Sequence, residues 1–227
     1  MKSKRGKRHA DKEVTQPIRK ESERDAILSY FFKRGDLRDY AMFIFGVYTG
    51  RRIGDILALN VGDVAKIDNR GYLRIVNRLS IREEKTGKGF SFTVHQRVKS
   101  ALSKYLKQRR EKAPSLGALL LEPLFKSQKH RKDSGEYRLT KRHALRILSN
   151  AARECGLNYR VGTHSMRKTF GYVLYNSGYD IVRIQQALNH SSTAYTLSYI
   201  GVTQDDIDEL FSGFGEYNLD FGRGPAR

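Results

Sequence analysis

The sequence is poor in the residues that build covalent or metal-held scaffolds. A single cysteine, Cys155, rules out an internal disulfide and any cysteine-based zinc site, and its place on the apolar stripe of a helical pattern makes it an expected core residue. The six histidines include no pair at metal-ligand spacing with a carboxylate nearby, so no metal and no cofactor is expected. Long apolar runs are missing too. The longest, Ala41 to Val47, is too short to cross a bilayer, and the basic start is not followed by the apolar stretch of a signal peptide, so a cytoplasmic protein is expected. Acidic residues are scarce: Asp and Glu number 24 against 43 Lys and Arg, a formal charge of +19 that exceeds what solubility requires and points to a polyanionic partner. A membrane surface would need a long amphipathic helix with one basic and one apolar face. The sequence has none, which favours nucleic acid.

What is present suffices for one core, since 227 residues carry 39% hydrophobic side chains. Residues 1–16 are expected to be a flexible basic arm, because Lys2, Lys4, Arg5, Lys7, Arg8 and Lys12 stand among almost no apolar residues. A folded unit is expected over 17–213, with a glycine-punctuated tail over 214–227. Ser22 with Asp25 reads as the start of a first helix, and Asp36 opens a second that is apolar on every side from Tyr40 to Tyr48, ending at Gly50. A short third runs from Ile53 to Leu59. Between Gly71 and Val94 the period changes to alternation, giving three strands of a small antiparallel sheet. Two of these flank Lys85-Thr86-Gly87-Lys88-Gly89, a hairpin turn that holds Lys85 and Lys88 at an exposed tip. Helices follow at Gln96 to Lys112 and Thr140 to Cys155, joined by an irregular link with a basic cluster: Lys126, Lys129, Arg131 and Lys132. Further helices are read from Thr163 to Ser177, Asp180 to Asn189, Ser191 or Ser192 to Tyr199, and Thr203 to Phe211. The class is α+β, mostly helical with a small three-stranded antiparallel sheet.

Three segments carry residues suited to phosphate chemistry. His164 and Arg167 lie three apart at a helix start, so both project from one face near the positive end of the dipole. His190 follows a helix end, and Tyr199 comes nine residues later. Thr49-Gly50-Arg51-Arg52-Ile53-Gly54-Asp55 sets two guanidinium groups directly after a buried helix, where Asp55 is positioned to orient one of them and leave a fork of donors free. Each segment alone is commonplace: a surface His-Arg pair, a terminal histidine, one of 13 tyrosines.

Together and in this order they resemble the tyrosine recombinase or phage integrase family. Its pattern has Thr-Gly-x-Arg-Ile, a lysine in a β-hairpin, His-x-x-Arg, and Leu-Gly-His-Ser-Ser with the nucleophilic tyrosine nine residues after the histidine. Residue by residue this points to Arg52, Lys85, His164, Arg167, His190 and Tyr199, over a match from about Ser22 to Phe211. Asn189 replaces the usual glycine before the histidine, and asparagine is the next best left-handed cap. Arg51 replaces a commonly aliphatic residue and leaves two candidates for the first arginine, with the following isoleucine favouring Arg52. The resemblance implies a site-specific recombinase acting through a covalent 3′-phosphotyrosine. Tyr199 would attack, Arg52 and Arg167 would clamp the phosphate, and Lys85 would protonate the leaving 5′ oxygen. His164 would serve as base or donor and His190 as hydrogen-bond donor. The alternatives are a topoisomerase of type IB and a DNA-binding regulator without catalysis. The expected partner is double-stranded DNA at specific sites, with Arg51, Lys88, Lys126, Lys129, Arg131, Lys132, Lys141 and Arg142 as candidate contacts. A homo-oligomer from dimer to tetramer is expected, held by docking of the helix Thr203 to Phe211. The chain leaves no room for the helical core-binding domain of many members, so a small single-domain or truncated member is expected.

Overall fold

A computed structural model describes residues 14–84, 86–127 and 137–202, together with Asp206, Asp208 and Ser212. The stretch that is apolar on all sides forms the centre. It becomes helix α2 (Leu37–Thr49), in which every residue from Ala41 to Gly46 is buried. Around it pack α1 (Glu21–Lys33), α5 (Gln96–Arg110) and α8 (Thr163–Asn176). Gly50 ends α2 with a left-handed φ of 61°, and a Cβ there would also collide with the Phe170 ring. The first helix does not begin as the Ser22–Asp25 pattern predicts. Lys20 is its N-cap with no side-chain bond, and the chain is anchored further upstream, where buried Ile18 donates its N–H to Thr169 Oγ1 at 2.8 Å.

Short elements follow α2: α3 (Ile53–Ala58), α4 (Val61–Val64), then strands β1 (Ala65–Ile67), β2 (Leu73–Ile75), β3 (Arg78–Arg82) and β4 (Gly89–Thr93). The expected three strands do not form one sheet. β2 pairs with β1, a three-residue strand too short to leave a periodic signal, and β3 pairs with β4 in a separate hairpin with Arg78 opposite Thr93 and Arg82 opposite Gly89. The link after α5 is also more ordered than its composition suggests. Ser115 caps α6 (Leu116–Leu121) by accepting from Ala118 N, and Leu119, Leu124, Phe125 and Leu139 enter the main core.

Helix α7 (Lys141–Glu154) is capped by Thr140, and Gly162 precedes α8, whose first helical residue is Thr163. Cys155 is partly buried against the core at the end of α7. Asp180 caps α9 (Ile181–Leu188), and Ser192 caps α10 (Thr193–Ile200). These last two helices rest on a small core of their own: Ile184, Leu188 and Ile200, with Phe170, Tyr175 and Tyr199 packed around them. Gly171 lets α10 close onto α8, since a Cβ there would lie 2.5 Å from Ile200 Cγ2. The predicted helix Thr203 to Phe211 lies outside the described residues apart from Asp206 and Asp208. No helix among the described residues is long and apolar enough to cross a membrane.

Candidate active site

Four chain segments meet where α2 ends and α8 begins. Arg167, in the first turn of α8, is buried at 2% exposure. Its Nη1 donates to Gly50 O at 2.7 Å and its Nη2 to Leu188 O. Both acceptors are carbonyls at helix C-termini, which carry partial negative charge and hold the guanidinium without neutralising it. Arg52 is the N-cap of α3, just beyond Gly50. Its side chain is about a quarter exposed, with Nη1 2.7 Å from Glu83 Oε2 but out of line for a hydrogen bond. The two arginines line an open cleft of about 450 Å³ with Asp55, Glu84, Lys141, Thr163 and His164.

The helix α9 ends at Asn189, the one described non-glycine residue with positive φ, at 49°. Asparagine therefore does supply the left-handed turn that glycine would, and this turn throws His190 back toward α8. On α10 the Tyr199 ring meets the His190 ring edge-on at 4.8 Å between centroids. The phenol oxygen lies 3.3 Å from His164 Nδ1, in position to pass its proton to that nitrogen. Burial raises the Tyr199 pKa above the usual phenol value, while the neighbouring Arg167 and Arg52 pull it down. The Thr196 hydroxyl donates to Ser192 O at 2.8 Å, so its oxygen is left to accept from His190 Nδ1 at 3.2 Å. That contact fixes the tautomer and leaves Nε2 as the free edge of the ring.

Burial, followed by the charges of Arg167 and Arg52, pushes the His190 pKa down to about 4. Below pH 6.5, the ordinary histidine value, the unfolded chain binds a proton that folded His190 refuses. Stability from this group is complete above that pH and is lost as pH falls toward 4. Melting temperature should accordingly decline across this window, and His190→Asn should flatten the decline. Parallel profiles for both proteins would show that burial and the arginines do not depress the His190 pKa.

Similarity to known proteins shows the family of the chain. Residues 18–205 match the model of the phage integrase family. A curated relative, the probable integrase/recombinase YoeC of Bacillus subtilis strain 168, is 36% identical over 202 residues, covering 89% of this chain and 98% of YoeC. The chain belongs to the phage integrase family. It spans about half the length of the tyrosine recombinases XerD and XerC that it also matches. Its fold is that of tyrosine recombinase catalytic domains. The XerA recombinase superposes with a TM-score of 0.64 at 21% identity, over 92% of this chain and 66% of XerA. XerH bound to its palindromic difH substrate gives 0.62 at 20%, over 89% and 52%.

Within this integrase-family chain the structure brings together Arg52, His164, Arg167, His190 and Tyr199, while Lys85 lies outside the described residues. Arg51 does not serve as the expected surface contact. It is 1% exposed, its Nε donates to Thr49 O at 3.1 Å and its Nη2 to Ala187 O, and its guanidinium lies 4.2 Å from the Phe90 ring centroid. Burial, then the charge of Arg167, pushes its pKa down to about 10, so it keeps its proton at neutral pH. Nor is Asp55 the counter-charge of the arginines. Its Oδ1 accepts from Glu84 N at 2.9 Å, and its Oδ2 has no hydrogen-bond partner among the described residues. That role falls to Glu83, which sequence reasoning missed because it sits inside a strand-like pattern 31 residues after Arg52.

Of the other candidate contacts, Lys88 and Arg142 are exposed. Lys141 is also exposed but pairs with Glu84 at 2.8 Å beside the cleft. Lys126 pairs with Glu122 at 3.0 Å. Lys129, Arg131 and Lys132 lie outside the described residues. Thr196 and Lys168, both buried against the site, carried no motif of their own.

Proposed function

We propose that the chain is a site-specific DNA recombinase that cuts and rejoins strands through a covalent 3′-phosphotyrosine. The observation that carries this is the 3.3 Å approach of His164 Nδ1 to the Tyr199 hydroxyl beside two arginines aimed at one cleft. Tyr199 Oη attacks phosphorus in line, its proton passes to His164, and the bond from phosphorus to the 5′ oxygen breaks. Arg52 and Arg167 neutralise the charge that grows on the non-bridging oxygens. The proton for the leaving 5′ hydroxyl is assigned to Lys85 by resemblance. Since the bond energy is kept in the phosphotyrosine, reversal rejoins the strand without ATP. A phosphate between Arg52 and Arg167 offsets the arginine charges, which rank after burial among the causes of the low His190 pKa, and so favours a protonated ring that donates from Nε2.

Double-stranded DNA is the proposed partner, which places the protein in the cytoplasm. The exposed face of α7, with Arg142, Leu145 and Arg146 beside Lys141, continues the cleft and suits a groove. The test uses nicked duplexes made from the DNA on either side of the gene. A denaturant-resistant adduct, mapped by mass spectrometry to the Tyr199 peptide, supports the reading; no adduct on any of them, or one through another residue, refutes it.

We further propose that the segment from Thr203 onward docks on a neighbouring copy during synapsis. Removing residues 203–227 should leave binding to a single site within about threefold, as for changes away from a binding surface, and abolish strand exchange. Loss of single-site binding would instead point to packing within the chain, a possibility raised by the 3.4 Å contact between Arg19 and Asp206.

A further inference from the structure

Lys168 follows Arg167 on α8, one turn after His164, and is 7% exposed. Its ammonium has no ion pair or hydrogen bond among the described residues, and burial drives its pKa below the ordinary lysine value. The side chain is largely buried while the ammonium keeps some contact with solvent, so the charge carries a desolvation cost that an apolar side chain of the same length would not. A largely desolvated side-chain charge with no ion-pair partner among the described residues suggests that the charge serves something else. Its aromatic neighbour is Tyr199: Nζ lies 5.3 Å from that ring's centroid, within the range of a cation–π interaction.

The other groups facing the phenol have different tasks or positions. His164 meets the hydroxyl, Arg167 is tied to two carbonyls with Cζ 6.0 Å from the ring centroid, and Arg52 stands across the cleft. His190 and Tyr195 present rings, at 4.8 and 5.9 Å.

We propose that Lys168 is a further electrostatic partner of the nucleophile, beside Arg167 and Arg52: its ammonium, held against the Tyr199 ring, stabilises the phenolate character that develops as the tyrosine attacks and again as it is expelled. This rests on Tyr199 being the nucleophile. In the forward step the phenol O–H breaks, the proton goes to His164 and the freed electron pair forms the bond to phosphorus. In the reverse step the pair returns to Oη as that bond breaks. A neutral ring gains a little from the nearby cation, whereas a ring bearing negative charge gains more, so the effect is differential and accelerates both directions.

The experiment reads the phenol directly and needs no DNA. Tyrosine is replaced throughout the full chain by a fluorinated tyrosine whose lower pKa brings titration into an accessible range, and the Tyr199 signal is assigned in ¹⁹F spectra through Tyr199→Phe. Lys168→Met should raise the Tyr199 pKa by about one unit, a typical effect of removing a close opposite charge. Lys168→Arg should restore most of the difference. The Met variant should also melt no lower than wild type, because it removes a partly desolvated charge that has no ion-pair partner among the described residues. Should it melt lower, Lys168→Gln provides the same comparison with a polar side chain and must give the same shift.

An unchanged Tyr199 titration in the folded neutral variants overturns the proposal. On flanking DNA, Lys168→Met should slow adduct formation by roughly tenfold at neutral pH, the rate equivalent of one pKa unit, with DNA affinity unchanged. Weakened binding with an unchanged cleavage rate would make Lys168 a phosphate contact and also overturn it. If wild type formed no adduct with any DNA, the recombinase reading would fail while the titration result stood.

Discussion

Tyr199→Phe should bind flanking DNA like wild type and form no covalent adduct, whereas Tyr195→Phe should form it within about threefold of the wild-type rate, the scale of ordinary surface substitutions. The two residues make a close control for each other. They lie one helical turn apart on α10, their rings are 5.9 Å apart, and each packs edge-on against His190, at 4.8 and 4.9 Å. What separates them is the company of the hydroxyl. Tyr199 has His164 at 3.3 Å and the cations Arg167 and Lys168 against its ring, while Tyr195 is 53% exposed. A phenol is a weak nucleophile at neutral pH, so attack requires a base and cations that offset the burial raising the Tyr199 pKa, and Tyr199 has His164 within reach with Arg167 and Lys168 against its ring. Loss of Oη removes the attacking atom itself, which no neighbour on α10 replaces. An adduct that persists in Tyr199→Phe and disappears in Tyr195→Phe would reverse the assignment.

The contrast between these two tyrosines shows what the sequence could convey. The nine-residue interval from His190 marks Tyr199, because that interval encodes a helix end, a left-handed turn and two turns of a capped helix. Asn189 could be read as the cap on conformational grounds alone, and its φ of 49° agrees. The buried nature of α2 was equally legible, since a helix apolar on all sides has nowhere to lie but inside. The pairing of strands was not. β1 has three residues and follows a one-turn helix, so no alternation could announce it, and the partner of β2 was therefore hidden. Charge pairing across distance was hidden for a related reason. Asp55 looked like the counter-charge because it is close in sequence, yet Glu83, just after β3, reaches both arginines through a contact that exists only once the chain has folded. Lys168 was obscured by its neighbour: beside a motif arginine, a lysine reads as one more basic residue until its burial is known.

Glu83→Leu should be among the most destabilising single changes in the site. The Glu83 carboxylate, fully buried, lies 2.7 Å from Arg52 Nη1 and 3.4 Å from Arg51 Nη1, and accepts hydrogen bonds from Asn189 at 2.7 Å and Thr86 at 2.8 Å. Burial alone would raise its pKa, but these donors outweigh burial and hold it below the usual carboxylate value, so its contribution is present at neutral pH and is lost in acid. Removing it leaves two arginines facing each other and Arg167 without a counter-charge, a loss of about 3–5 kcal/mol and a fall in melting temperature on the order of 10 °C. The double variants then distinguish the two arginines. Arg51→Met with Glu83→Leu should recover at least half of the lost stability, because Arg51 lies against Phe90 and Phe92 and an apolar side chain suits that site. Arg52→Met with Glu83→Leu should also regain stability, yet its adduct formation should stay down by roughly a hundred- to thousandfold, the effect of losing a donor to the developing oxyanion. Adduct measurements on the single variants Arg51→Met and Arg52→Met complete the comparison. If the first abolishes cleavage in a folded protein and the second spares it, Arg51 is the phosphate-clamping arginine and the assignment of Arg52 falls.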